Sequence, residues 1–156
     1  EADGVSGGMV TGSVAIIAID SAGEISLATS SNGLNYKIAG RVSDAAVPGA
    51  GGYIDPDVGA CTATGDGDVI IRFAAAKTAV TFMKTGLSPQ ESAQAAIDEI
   101  ENACPDKQAI ILCLSKDGEP GIANNEPTGK PKYAYRSEKC DAAVSADVDN
   151  PRGDCV

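Results

Sequence analysis

The residue best suited to chemistry in this sequence is a serine at the start of an apolar strand. Ser13 follows Gly12 and opens the run SVAIIAID, and the chain contains no histidine. That absence excludes Ser-His-Asp and Cys-His triads, HExxH motifs and Cys/His zinc sites within the chain. A hydroxyl residue at a newly formed N-terminus needs no histidine, because its own α-amine, with a pKa of about 7.7–8.0, can act as the base. Cleavage of the Gly12–Ser13 bond would supply that amine, although a Gly-Ser pair alone is more typical of a plain turn.

Two further pairs of residues are suited to holding a polar ligand. The planar fork of Arg41 matches a carboxylate and the nearby Asp44 can neutralise an ammonium, so together they would select a free amino acid head group. Thr64 and Gly65 lie at a predicted strand-to-helix turn, where a hydroxyl and an N–H could donate to a developing oxyanion. Such a donor contributes about 3–4 kcal/mol. The alternatives are a surface ion pair for the first pair and a turn with a helix cap for the second.

Local patterns predict the first elements that must position these groups. The β-branched run at 13–20 and the run EISLATSS, separated by Ser21-Ala22-Gly23, predict a hairpin. The glycine-rich segment 32–57 predicts a long loop of functional type. A strand is predicted at 58–62, and the apolar spacing over 68–85 predicts a single helix with Asp66 or Asp68 near its start.

The second half of the chain predicts one more helix and three strands. The segment Ser88-Pro89-Gln90-Glu91 has the residues of a capping box with proline at the first helical position, so a helix should run to about Asn102. Strands are predicted at 108–115, 120–124 and 132–137, and loop from Glu138 onward. This order of elements indicates an α+β sandwich with helices layered on sheets.

Composition limits the class of protein. The 156 residues, 43% hydrophobic and 22% charged, fit one folded domain. The net charge of −10 argues against nucleic acid and anionic membrane surfaces, and no apolar run is long enough for a membrane helix. Residues 1–12 are expected to be a linker or propeptide-like tail before a domain at 13–156. Without an initiator Met or a signal-like segment, the sequence is expected to be a processed piece or an excerpt.

The five cysteines match no zinc-binding spacing. Cys104 with Cys113, and Cys140 with Cys155, are close enough in sequence to close short disulfide loops, which would indicate an oxidising compartment. Cys61 is expected to be a buried free thiol.

Three motifs together resemble a known family. They are TSSNGL (29–34), GRVSDAAVPGAGGY (40–53) and ATGDGD (63–68). In residue type, order and spacing they resemble glycosylasparaginases and plant-type asparaginases, and the similarity covers about residues 13–156. The chain is thus similar to the C-terminal, nucleophile-bearing half of an N-terminal-nucleophile amidohydrolase. The resemblance implies a four-layer αββα sandwich, of which this chain would be the β-subunit half.

The resemblance also implies roles for individual residues. Ser13 would be the nucleophile and Ser31 its supporting hydroxyl, both usually threonine in the family. Arg41 and Asp44 would bind the substrate head group, and Thr64 and Gly65 would form the oxyanion hole. Apart from the resemblance, glycines would let the backbone approach the ligand closely, at Gly40, Gly49, Gly51, Gly65 and Gly67.

The implied activity is hydrolysis of the side-chain amide of asparagine or N-glycosyl-asparagine to aspartate, with no cofactor and no metal. The implied partner is an N-terminal α subunit cut from the same precursor at Gly12–Ser13, in an (αβ)2 assembly. The implied location is lysosomal or extracellular. The alternative is a catalytically silent homologue with a structural or binding role, because Ser13 would lack its base if that bond stayed intact.

Overall fold

The computed structural model describes residues 12–125, 132–138 and 142–147. The predicted hairpin is confirmed as strands β1 (Val14–Ile19) and β2 (Ile25–Ser30), paired antiparallel. The carboxylate of Asp20 closes the turn by accepting from Ala22 N at 2.8 Å and Glu24 N at 2.9 Å. Gly23 there has φ 82°, a left-handed conformation that glycine adopts without strain.

A four-stranded antiparallel sheet forms the centre of the molecule, in the order β3-β4-β5-β6. The segment expected to be a loop at 32–57 was partly wrong, since it contains β3. The sequence did not reveal this strand because it begins with a glycine. Gly52 leaves room for the hairpin, since a Cβ there would lie 3.3 Å from Thr29 Cγ2. β4 is longer than predicted and its first five residues are buried. The strands are β3 (Gly52–Asp55), β4 (Gly59–Gly65), β5 (Ala109–Ser115) and β6 (Pro120–Asn124).

The single helix predicted over 68–85 was wrong, because two helices, α1 (Gly67–Phe73) and α2 (Ala75–Lys84), occupy that segment. Ala74 between them has φ 46° and ψ 49°. The break lets the start of α2 bond to the loop before β3, with Lys77 N donating to Gly49 O at 2.9 Å. Tertiary hydrogen bonds therefore override a continuous helical pattern.

Helix α3 (Pro89–Ala103) confirms the helix predicted from the capping box. Ser88 Oγ accepts from Glu91 N at 3.2 Å, and Glu91 Oε2 accepts from Ser88 N at 2.9 Å. These two reciprocal bonds satisfy orphan donors at the helix start.

The C-terminal part differs from the expected loop. β7 (Lys132–Tyr135) pairs with β8 (Val144–Asp147), so residues 144–147 are a strand. The predicted Cys104–Cys113 disulfide is also wrong, since both thiols are free. Cys113 is instead buried opposite Cys61 across β4 and β5. Cys140 and Cys155 lie outside the described residues, as do residues 1–11.

The described elements form layers around the central sheet. Helices α2 and α3 cover one face, and the core between them contains Cys61, Ala63, Ile97 and Ile111. The hairpin covers the opposite face, where Leu27 lies against β3. The expected α+β class is thus confirmed as a mixed arrangement of helices and sheets.

Candidate active site

A small pocket of about 50 Å³ lies where the hairpin meets the end of β4. It is open on one side, and strand alternation explains its polar lining: Thr29, Thr62 and Thr64 lie on strand faces that meet between the two sheets. Of the predicted site residues, Ser13, Asp44 and Thr64 line it directly. The complete lining is Ser13, Val14, Ala15, Thr29, Ser30, Asp44, Ala45, Thr62, Ala63 and Thr64.

The two predicted serines are in direct contact. Ser13 Oγ and Ser31 Oγ are 2.9 Å apart, a hydrogen bond in which either hydroxyl can donate. Ser31 Oγ also accepts from Gly33 N at 2.9 Å, which fixes its orientation at the end of β2. Because one of its lone pairs is already engaged, Ser31 is well placed to donate to Ser13.

Arg41 and Asp44 converge on one point above the start of α1. A Cβ at Gly67 would lie 3.0 Å from the Arg41 Nη2 atom and 2.9 Å from Asp44 Oδ1. Among the described residues, however, no ion pair within 4.0 Å joins Arg41 to Asp44. A surface ion pair is therefore not the explanation of this i, i+3 spacing. Both charges are left available to a ligand.

Asp44 is a buried carboxylate whose backbone is tightly held. The residue is 6% exposed and begins a 3₁₀ turn, Asp44–Ala46. Its carbonyl accepts from Val47 N at 2.9 Å and from Gly51 N at 3.1 Å. Burial raises the pKa of the Asp44 carboxyl above its ordinary value of 3.8, while nearby backbone N–H groups and the Arg41 charge act in the opposite direction.

Gly51 supports Asp44 rather than approaching the ligand. A Cβ there would lie 2.7 Å from the Asp44 carbonyl oxygen and 2.8 Å from Ala45 Cα, far inside van der Waals contact. Any larger residue would displace the turn that presents the carboxylate.

Thr64 and Gly65 end β4 beside the pocket. Gly65 has φ 135°, and a Cβ at this position would collide with the Gln108 carbonyl of β5. Asp66 holds the following turn, because its carboxylate accepts from Gln108 N at 3.0 Å. The Asp66 side chain makes no capping bond to α1, so a helix cap does not explain this motif.

Two site residues were not found from the sequence. Thr29 Oγ1 donates to Ala45 O at 2.7 Å and ties the hairpin to the 3₁₀ turn. Thr62 is 5% exposed and lines the pocket two residues before Thr64. The strand alternation of β4 was the available signal, because residues 62 and 64 share a face.

The sequence profile of a family described as asparaginase matches residues 4–144. A putative N(4)-(beta-N-acetylglucosaminyl)-L-asparaginase of Drosophila persimilis is 40% identical over 128 residues, covering 82% of this chain and 33% of that protein. The mouse N(4)-(beta-N-acetylglucosaminyl)-L-asparaginase is 38% identical over 113 residues, covering 72% and 33%. A probable isoaspartyl peptidase/L-asparaginase of Arabidopsis thaliana is 40% identical over 105 residues, covering 67% and 29%. The chain thus spans about a third of the length of these relatives.

Proposed function

This chain belongs to the asparaginase family, and on that premise we propose that it carries the nucleophile of an amidohydrolase that converts asparagine or N-glycosyl-asparagine to aspartate. The observation that carries the proposal is the pocket itself. Ser13, which is bonded to Ser31, lines it together with a buried carboxylate, Asp44, that has no cation within ion-pairing distance among the described residues.

The proposed nucleophile is Ser13, after hydrolysis of the Gly12–Ser13 bond. The new α-amine takes the proton of the Ser13 hydroxyl, and the oxygen attacks the side-chain carbonyl of the substrate. Ser31, bonded at 2.9 Å, orients that oxygen and stabilises its charge. The Thr64 hydroxyl and the Gly65 N–H stabilise the oxyanion.

The remaining step restores the enzyme. Collapse of the tetrahedral intermediate expels ammonia or a glycosylamine, which takes the proton held by the α-amine, and leaves an ester on Ser13. A water molecule, deprotonated by the same amine, then hydrolyses that ester and releases aspartate. No group outside the chain's own residues is needed for these proton transfers.

Head-group recognition is assigned to Arg41 and Asp44. The substrate's α-carboxylate meets the guanidinium fork, and its α-ammonium meets the carboxylate. Burial disfavours the ionised form of Asp44 and raises its pKa. An incoming ammonium would stabilise that ionised form, and this interaction would favour binding of the substrate. Gly65 and Gly67 leave space for the ligand beside these groups.

The proposed partner is an N-terminal α subunit made in the same precursor, within an (αβ)2 assembly. The outer face of β1 supports this, since Val14 is 65% and Ile16 is 62% exposed. The loop around Arg41 also exposes large apolar side chains, at Leu34, Tyr36, Ile38 and Val42. An α subunit covering this side would complete the four-layer sandwich. A lysosomal or extracellular location is proposed with it.

The second candidate is a silent homologue in a structural or binding role. Serines at both hydroxyl positions favour it, because serine lacks the methyl group that restricts χ1 of threonine. It differs from the enzyme in two respects that can be measured: the Gly12–Ser13 bond stays intact, and no aspartate is released.

Turnover of N-glycosyl-asparagine and asparagine by the native protein tests the proposal, with Arg41→Ala as the variant. Loss of the charge-assisted head-group bonds should lower kcat/KM by at least about tenfold. Arg72→Ala is the matched control, because Arg72 lies on the exposed side of α1 and contacts Phe73 and Cys104. If Arg41→Ala turns over substrate like the control, Arg41 does not bind the head group.

A further inference from the structure

Thr62 is a polar side chain in the pocket that the proposed mechanism does not use. It lies on β4 opposite Gly52 of β3, on the face that meets the hairpin, and is only 5% exposed. Its neighbours Cys61 and Ala63 point the other way, into the core under the helices. The Thr62 side chain is therefore placed between the sheets, beside Asp44 and Thr64.

Two hydroxyls of the pocket lining are engaged, whereas those of Thr62 and of Thr64, the proposed oxyanion donor, make no hydrogen bond to the described residues. Thr29 Oγ1 donates to Ala45 O, and Ser13 Oγ is bonded to Ser31 Oγ. Thr62 Oγ1 makes no hydrogen bond within the part of the chain that the structure describes, and the pocket is the space next to it. Because Thr62 is almost fully covered and lines the pocket, a ligand bound there would be the natural hydrogen-bonding partner of its hydroxyl.

We propose that the Thr62 hydroxyl is a substrate-binding group that hydrogen-bonds the α-amino acid head group beside Asp44. This inference rests on the proposed function and adds a specificity-determining residue to it. A hydroxyl can accept from the α-ammonium or donate to the α-carboxylate, so Thr62 complements Asp44 in either orientation.

Thr62→Val separates ligand binding from structure. Valine keeps the shape and the β-branching of threonine but removes the hydroxyl. Because the hydroxyl has no partner among the described residues, its removal should leave the Tm of the ligand-free protein unchanged or raise it. A merely structural role for Thr62 predicts a lower Tm instead.

The binding readout is the Kd of L-aspartate, the proposed product, measured by calorimetry on the native protein. The loss of one hydrogen bond predicts a Kd about threefold to tenfold higher in Thr62→Val. Thr62→Ser keeps the hydroxyl and should bind within about twofold of wild type. Thr81→Val is the control, since Thr81 lies on the exposed side of α2 and bonds only to Lys77 O among the described residues.

Each outcome of these measurements either supports or overturns the role of Thr62. Weaker aspartate binding by Thr62→Val, with an unchanged or higher Tm and rescue by serine, supports the inference. Equal Kd values for wild type and Thr62→Val overturn it and leave the proposed function standing. Failure of wild-type protein to bind aspartate overturns the proposed head-group site, and the role of Thr62 with it.

Discussion

Replacing Gly67 with alanine should weaken ligand binding while leaving the fold intact. The added methyl would lie 2.9 Å from Asp44 Oδ1 and 3.0 Å from Arg41 Nη2. Both distances are several tenths of an ångström shorter than the roughly 3.5–4.0 Å that non-bonded heavy atoms prefer. The charged ends of Arg41 and Asp44 must therefore move apart.

The structural consequence of this movement is small because the crowded atoms are the ends of two side chains. Alanine is also favoured over glycine in helices by up to about 1 kcal/mol, and Gly67 is the first residue of α1. The Tm should accordingly stay within a few degrees of wild type or rise.

The functional consequence is large because those same atoms are the proposed head-group site. Disturbing one charge-assisted hydrogen bond is worth about 1.5–3 kcal/mol, or roughly 10-fold to 150-fold in Kd. The assay is calorimetric titration with L-aspartate beside thermal unfolding of the same sample.

Gly118→Ala is the matched control, which should lower the stability of the fold and leave ligand binding unchanged. Gly118 has φ 82° and no atom within 4 Å of an added Cβ, so strain alone should lower stability by about 1 kcal/mol. It lies in the turn at the far end of β5 and should leave the Kd unchanged. Wild-type affinity in Gly67→Ala would refute the assignment of Arg41 and Asp44 to the head group.

Three further predictions follow from the same geometry. Ser31→Ala should lower turnover by about tenfold or more, because Ser13 loses its 2.9 Å partner; Thr81→Ala, on the exposed side of α2, should not. Aspartate binding should weaken on acidification with an apparent pKa above 3.8, because burial raises the pKa of Asp44 and only its ionised form binds an ammonium. Ser92→Ala in α3 should raise the unfolding free energy by about 1 kcal/mol without changing the Kd, because the Ser92 hydroxyl is 0% exposed and unpartnered among the described residues.

Protonation of Asp44 has opposite effects on folding stability and on aspartate binding. A carboxyl whose folded-state pKa is raised binds protons more tightly in the folded than in the unfolded state. Its contribution therefore favours folding as the pH falls from above the raised pKa towards 3.8. Asp44→Asn should remove this dependence, raise stability at neutral pH and abolish aspartate binding, as unfolding and titration at several pH values would show.

Two results would contradict the predictions for Ser31 and Ser92. If Ser31→Ala and Thr81→Ala have equal turnover, Ser31 does not support the nucleophile. If Ser92→Ala lowers the Tm, the Ser92 hydroxyl has a partner that its surroundings in α3 do not reveal.

The elements that local chemistry dictates were predictable from the sequence. The hairpin follows from β-branched runs around a glycine turn, and α3 follows from the capping box at Ser88 and Glu91. The elements that tertiary contacts dictate were not predictable. Ala74 leaves helical geometry where α2 meets the loop at Gly49, and Gly52 belongs to a strand because the hairpin packs against it.

The site likewise has features that the sequence predicted and features that depend on tertiary contacts. The motifs pointed to Ser13 and the Arg41/Asp44 pair through residue types that suit an amide substrate, and to Ser31 only through the resemblance to the asparaginase family. The sequence could not show that Arg41 and Asp44 avoid pairing with each other, because this depends on how the folded loop orients the two side chains. Nor could it show that Thr62 points between the sheets, because that requires the packing of the hairpin on β4.

The most direct test of the central claim is the intact mass and N-terminal sequence of the native protein purified from its source. The amidohydrolase account predicts a chain that begins at Ser13, with the α-amine that the nucleophile needs. A native chain in which the Gly12–Ser13 bond is intact would leave Ser13 without its base. That result would contradict the enzyme account in favour of the silent homologue.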